Sequence, residues 1–136
     1  MEQFHINHWA VIACAAASLL VGAVWYSPML FYKAWMKENN LTEETIKQKF
    51  NPLKTYGLSF ILSLIISYNL AFFLGDNKTD ASWGAIAGFL AGFGFSALIF
   101  AIVGLFEQRS WRYILINGGY ITIYFTLIGF IIGAWR

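Results

Sequence analysis

Four uncharged stretches constrain this chain more than any other feature. They run from Trp9 to Tyr32, from Thr55 to Gly75, from Ala81 to Phe106 and from Tyr113 to Trp135, and a helix needs about 20 apolar residues to cross a bilayer. Backbone in hydrocarbon must satisfy its own polar groups, which leaves helices or a closed barrel. A stretch such as "LSFILSLIISYNLAFFL" is continuously apolar or small and lacks the alternation of a barrel strand. The expected fold is therefore all-α and integral to the membrane. It is a four-transmembrane-helix bundle with spans at about 8–27, 55–75, 83–106 and 112–135 and a short amphipathic interfacial segment in the loop 28–54. Composition agrees: 12% of residues are charged, against about 25% in soluble domains. The whole chain, 1–136, reads as one transmembrane domain.

The first stretch lacks a basic start and a small-residue cleavage site before Trp25 and Tyr26, so it is expected to stay as a span. The only cysteine, Cys14, lies inside it, which removes any intrachain disulfide.

Charge sets the expected orientation. Lys33, Lys37, Lys47, Lys49 and Lys54 lie between the first two spans, Arg109 and Arg112 lie between the last two, and only Lys78 and Arg136 lie on the other side. By the positive-inside rule this bias puts both basic loops in the cytoplasm and both termini outside. Tryptophan is an independent check. Trp9, Trp83 and Trp135 fall at the outer interface, and Trp25, Trp35 and Trp111 at or near the inner one, as two aromatic belts would.

Within the first loop, Pro28 is expected to kink the first helix or to start a new one. In "PMLFYKAWMKENN", Lys33 and Lys37 lie one turn apart with Met29, Phe31 and Trp35 leaning the other way, which suits a short interfacial helix. Thr42 is placed to cap a second helix with Glu43 and Glu44 in its first turn and Lys47 and Lys49 near its end, and Asn51-Pro52 closes it. Five lysines favour contact with anionic lipid, although Glu38, Glu43 and Glu44 offset them.

Small residues recur every fourth position: Ala10, Cys14, Ser18 and Gly22; Ser59, Ser63, Ser67, Ala71 and Gly75; Gly84, Gly88, Gly92 and Ser96. The last span carries Gly118, Thr122 and Thr126, then Gly129 and Gly133. In lipid, helices associate through close packing, so these stripes are expected to be helix contacts in a compact bundle. The serine hydroxyls are expected to bond to their own helix backbone.

Chemistry is sparse. No Asp, Glu, Lys, Arg or His lies mid-span, which argues against a proton-coupled transporter. His5 and His8 with Glu2 are a weak metal signal, and no metal or cofactor is expected. Neither a G-x-S-x-G nor a P-loop pattern occurs, so no enzyme is expected. The partners expected are membrane lipids, anionic ones included, and further copies of the chain; nucleic acid is not among them. One constellation remains. Glu107, Arg109 and Arg112 lie on a tight turn with Trp111, and Asn117 lies about 7 Å deeper at 1.5 Å per residue. Trp25, Tyr26 and Lys54 share that membrane face. Together they form a candidate shallow site for a lipid headgroup or another amphiphile; the competing reading is a charged hairpin turn whose asparagine bonds a neighbouring helix.

These residues carry a resemblance. "INHWAVI", then "VGAVWYSPMLFYKAWMKENNLTEE", then "GLFEQRSW", "INGGY" and "IIGAW" resemble the bacterial four-helix membrane family catalogued as domain of unknown function 1761. The most specific part is Gly22, Trp25, Tyr26, Ser27 and Pro28, followed by Phe31, Trp35 and Met36, with Phe106, Glu107 and Arg109 next. The resemblance implies a multi-pass protein of the bacterial inner membrane and supplies no catalytic residue. Two function classes stand: a structural or lipid-binding membrane module, and a small oligomeric channel or transporter with its pathway between subunits.

The charge bias predicts the outcome of reporter fusions. A periplasm-specific reporter should be active at the C-terminus and inactive at residue 45; the reverse pattern would overturn the orientation.

Overall fold

A computed structural model of the chain describes residues 5–136. Helices α1 (His8–Trp25), α4 (Pro52–Phe73) and α7 (Trp111–Ala134) are single spans, while α5 (Ala81–Ala91) runs through a π-helical turn, Gly92–Ala97, into α6 (Leu98–Phe106). All four spans, with Ala81–Phe106 counted as one, are long and apolar enough to cross a membrane. Two short helices, α2 (Tyr32–Glu38) and α3 (Glu43–Lys49), fill the first loop.

Local chemistry explains the boundaries. Asn7 accepts from the Trp9 and Ala10 amides at the start of α1, and Thr42 from the Thr45 amide at the start of α3. Asn51 accepts from Lys54 N with Pro52 as first residue of α4; Asp80 caps α5 and Ser110 caps α7. Two helices end on a left-handed residue that is not glycine. Asn40 (φ 54°) follows α2 and Gln108 (φ 57°) follows α6, and each is closed by a pair of amide-to-carbonyl bonds reaching back into the last turn. Pro28 neither kinks α1 nor starts α2: it sits in the turn between them, where the Ser27 carbonyl accepts from both Leu30 N and Tyr32 N.

The spans lie in the order α4, α1, α7, α5. The first three share one core, in which Val11 and Cys14 meet Leu70 and Ala71 of α4, its C-cap Leu74, and Tyr124, Ile128 and Ile132 of α7. The stripes Ala10-Cys14-Ser18 and Ser63-Ser67-Ala71 are buried there, as their spacing predicts. The hydroxyls divide. Ser18 donates to the Cys14 carbonyl four residues back, whereas Ser63 accepts from the Tyr124 hydroxyl at 2.9 Å and so joins two helices.

Helix α5 stands outside this core and docks on α7 through backbone. A Cβ added to Gly84 would overlap the Gly129 carbonyl, one on Gly129 the Gly84 carbonyl, one on Gly88 the Phe125 carbonyl, and one on Gly133 the Asp80 carbonyl. Glycine at each of these four positions permits this approach. The fourfold stripe then breaks: after Gly92 the next buried residue is Ala97, not Ser96. The π turn inserts one residue and rotates the face, and Ser96 instead donates to the Ala91 carbonyl five residues back.

At the end that holds both termini, Arg136 donates to the carbonyls of Leu74 and Asp76, and His5 N donates to the Gly75 carbonyl at 3.0 Å. Asp76 accepts from Thr79 Oγ1 and from the Lys78 and Thr79 amides; the Thr79 hydroxyl bond above all holds its carboxyl below the usual carboxylate range. His8 faces Tyr68, Nδ1 to hydroxyl 2.8 Å. Glu2 lies outside the described residues, and among those no three potential metal ligands cluster.

Backbone contact makes Gly84 intolerant of a single methyl group. Gly84→Ala should lower thermal stability in detergent by about 1–3 kcal/mol, the usual cost of overpacking. Gly57 of α4 has open space where its Cβ would lie, so Gly57→Ala should be neutral or stabilising by up to about 1 kcal/mol. Equal melting temperatures for the two variants would refute the docking described.

Candidate functional site

The end of the molecule that carries the α2–α3 segment and the α6–α7 turn also carries Lys33, Lys37, Lys47, Lys49, Lys54, Arg109 and Arg112, and is called the basic end. Here the last turn of α1 grips the first half of α7. Trp25 Nε1 donates to the Ile116 carbonyl at 2.9 Å, and the Tyr26 hydroxyl donates to Asn117 Oδ1 at 2.6 Å. Asn117 Nδ2 in turn donates to the Tyr113 carbonyl, so both ends of the amide are used. Gly119 makes room for the indole: a Cβ there would lie 2.8 Å from Trp25. Stacking extends the grip outward, with Phe31 on Trp25 (ring centroids 4.8 Å apart) and Trp35 edge-on to Tyr26 (6.0 Å). Trp25 and Trp35 are thus half-buried in these packing contacts.

Helix α2 is latched to the α6–α7 turn by two complementary ends. Arg109 Nη2 donates to the Glu38 carbonyl (3.2 Å) and to Asn39 Oδ1 (2.8 Å), placing a cation at the C-terminus of α2, and its guanidinium lies 3.6 Å from the centre of the Tyr113 ring. The Ser110 hydroxyl, which accepts from Tyr113 N at the start of α7, donates to Glu38 Oε2 at 2.6 Å. A carboxylate therefore sits at the N-terminus of α7, where the helix dipole favours it.

Beyond this corner, a groove of about 390 Å³ lies between α7 and the segment where the π turn runs into α6. Ala97, Leu98 and Ala101 form one wall, and Leu115, Gly118 and Thr122 the other. Trp25 forms the floor, and Trp111, 62% exposed, stands at the mouth. Gly118 faces only Ala97 Cβ, 3.7 Å from where its own Cβ would be. Two polar side-chain atoms of this lining are already bonded, Thr122 Oγ1 to the Gly118 carbonyl and Trp25 Nε1 to that of Ile116, which leaves the indole N–H of Trp111 as the free donor among the described residues. What remains is a hydrocarbon-lined slot.

Of the residues singled out from sequence, Trp25, Tyr26, Arg109 and Asn117 come together with α2 and α7. Lys54, Glu107 and Arg112 are exposed and outside those bonds. Arg109 is held by a carbonyl, an amide oxygen and a ring, and the carboxylate bonded at the α7 terminus is that of Glu38. Glu38, Asn39 and Ser110 escaped the sequence reading because their partners are about seventy residues away; Ser110 as a cap before a helical run was the available signal. The groove escaped because the glycine stripe was extended to Ser96, which hid the small pair Ala97 and Ala101.

The Tyr26–Asn117 bond predicts coupling. In a double-mutant cycle with Tyr26→Phe and Asn117→Ala, the interaction energy should be about 0.6 kcal/mol and at most about 1.7, the range for hydrogen bonds between membrane helices. A cycle pairing Tyr26→Phe with Glu107→Ala should close to zero. Equal coupling in both cycles would contradict the geometry.

No curated protein and no solved structure matches the chain. One family does, over residues 9–133, which takes in all four spans, the latched corner and the groove. The chain therefore belongs to the family described as protein of unknown function (DUF1761).

Proposed function

We propose that this protein is a non-catalytic lipid- or amphiphile-binding module of the bacterial cytoplasmic membrane, with both termini extracytoplasmic, and that the groove between the π turn and α7 takes the hydrocarbon chain of the bound molecule. The observation that carries this reading is the groove. Its volume of about 390 Å³ falls within the range of ligand clefts, about 300–1,000 Å³. Its walls offer apolar and small side chains, and Trp25 Nε1 and Thr122 Oγ1 are already bonded to backbone. A slot whose one free side-chain donor among the described residues is the exposed indole of Trp111 fits a chain of methylene groups and gives a polar substrate little to bind along its walls. The groove opens beside Trp111 near the basic end, so a tail lying in it keeps its headgroup at that interface.

Filling the groove tests this. Gly118→Leu projects a side chain into the slot with only Ala97 in front of it. Native mass spectrometry of protein extracted with its lipids should show a retained amphiphile in the wild type. The variant should lose most of it while its melting temperature stays within a few degrees. Equal retention by both proteins, or no retention by the wild type, would overturn the reading.

A further inference from the structure

The groove has a cation at its mouth that the fold does not use. Leu115, Gly119 and Thr122 line the slot at spacings of four and three, and Arg112 continues that stripe one turn nearer the basic end. Side chains on a helix lean toward its N-terminus, so Arg112 reaches out of the slot toward the headgroup layer. It is exposed, and no bond ties its guanidinium to the described residues. The neighbouring charges are differently placed. Arg109 is engaged by Glu38, Asn39 and Tyr113, and the Glu38 carboxylate is taken by Ser110. Glu107 is exposed at the foot of the other wall, beyond α6.

We infer that Arg112 selects the headgroup, and that the occupant is an anionic phospholipid of the surrounding leaflet, its phosphate paired with the guanidinium and one acyl chain in the groove. This rests on the groove being a tail site. Three features argue for it together: an apolar slot of about 390 Å³, an exposed tryptophan in its lining next to Arg112 in the chain, and a free planar donor whose paired N–H groups match two phosphate oxygens. An arginine kept only for orientation needs no place on the groove stripe. Lys54, exposed at the same end and remote from the lining, supplies the comparison.

The experiment is a competition. Delipidated protein in detergent is offered equimolar phosphatidylglycerol and phosphatidylcholine with identical chains, and the bound lipid is counted by native mass spectrometry. The wild type should prefer the anionic lipid by about five-fold, the worth of one cation beside an anionic surface. Arg112→Gln should abolish the preference while total lipid bound falls little, Arg112→Lys should restore part of it, and Lys54→Gln should leave it unchanged. Equal binding of the two lipids by the wild type, or a preference that survives Arg112→Gln or is lost equally in Lys54→Gln, would overturn the inference and leave the groove reading intact. Loss of neither lipid in Gly118→Leu would overturn the groove itself. Oleate displacing phosphatidylglycerol at equal concentration would replace the phospholipid by a free fatty acid.

Discussion

Backbone meets backbone where Gly84 and Gly88 of α5 face Phe125 and Gly129 of α7, and the shape of the rest of the molecule follows from that contact. Lipid gives apolar helices no reason to prefer one another over acyl chains, so association depends on shape and on weak polar contacts at close range. Glycine opposite carbonyl supplies both, because it lets Cα–H groups approach oxygen. Had the whole span Ala81–Phe106 kept the glycine register on α7 there would be no groove. The π turn ends that register at Gly92 and places Ala97 in the next seat, and α6 returns to α7 only nearer the basic end, where a Cβ on Gly104 would lie 2.9 Å from Ile114 and Phe100 stacks on Tyr113.

Arginine serves the ends of this fold in a consistent way. Arg109 covers the C-terminus of α2 and Arg136 donates to the carbonyls that follow α4, so each guanidinium answers the orphan acceptors of a helix. Carboxylates are likewise placed by helix geometry: Asp80 caps α5, and Glu38 reaches the start of α7 through Ser110. These four charges thus act at helix ends, whereas Arg112, like Lys54 and Glu107, makes no such bond among the described residues.

Much of this was legible beforehand, for reasons that can be named. The spans follow from apolar length, and the observed helices begin and end within a few residues of the expected limits. Thr42, Asn51 and Pro52 mark the boundaries of α3 and α4 because capping is a local reaction between a side chain and amides two or three residues ahead. Gly84, Gly88, Gly129 and Gly133 pack as their spacing predicts, since periodicity encodes a face. What stayed hidden was non-local or broke a period. The π turn leaves no compositional mark in "GFGFSA". Glu107 and Glu38 are both acids near a turn, and only the folded path of α2 decides which one reaches Ser110. Asn117 was readable as a polar group needing a partner, but Tyr26 became that partner only when the end of α1 met α7.

The order α4, α1, α7, α5 in space differs from the order in the chain. Helices α1 and α4 can pair as soon as both are inserted, since they touch directly. Helix α5 follows them into the bilayer with its glycine face bare, because its only broad neighbour, α7, has not yet been made. The last of these four spans to emerge from synthesis is therefore the one that closes the α1–α4 core on one side and collects the waiting helix on the other. A chain cut short before α7 would be a pair and a stray, and the cell would meet it as an orphan span whose exposed glycines invite any neighbour with a matching surface.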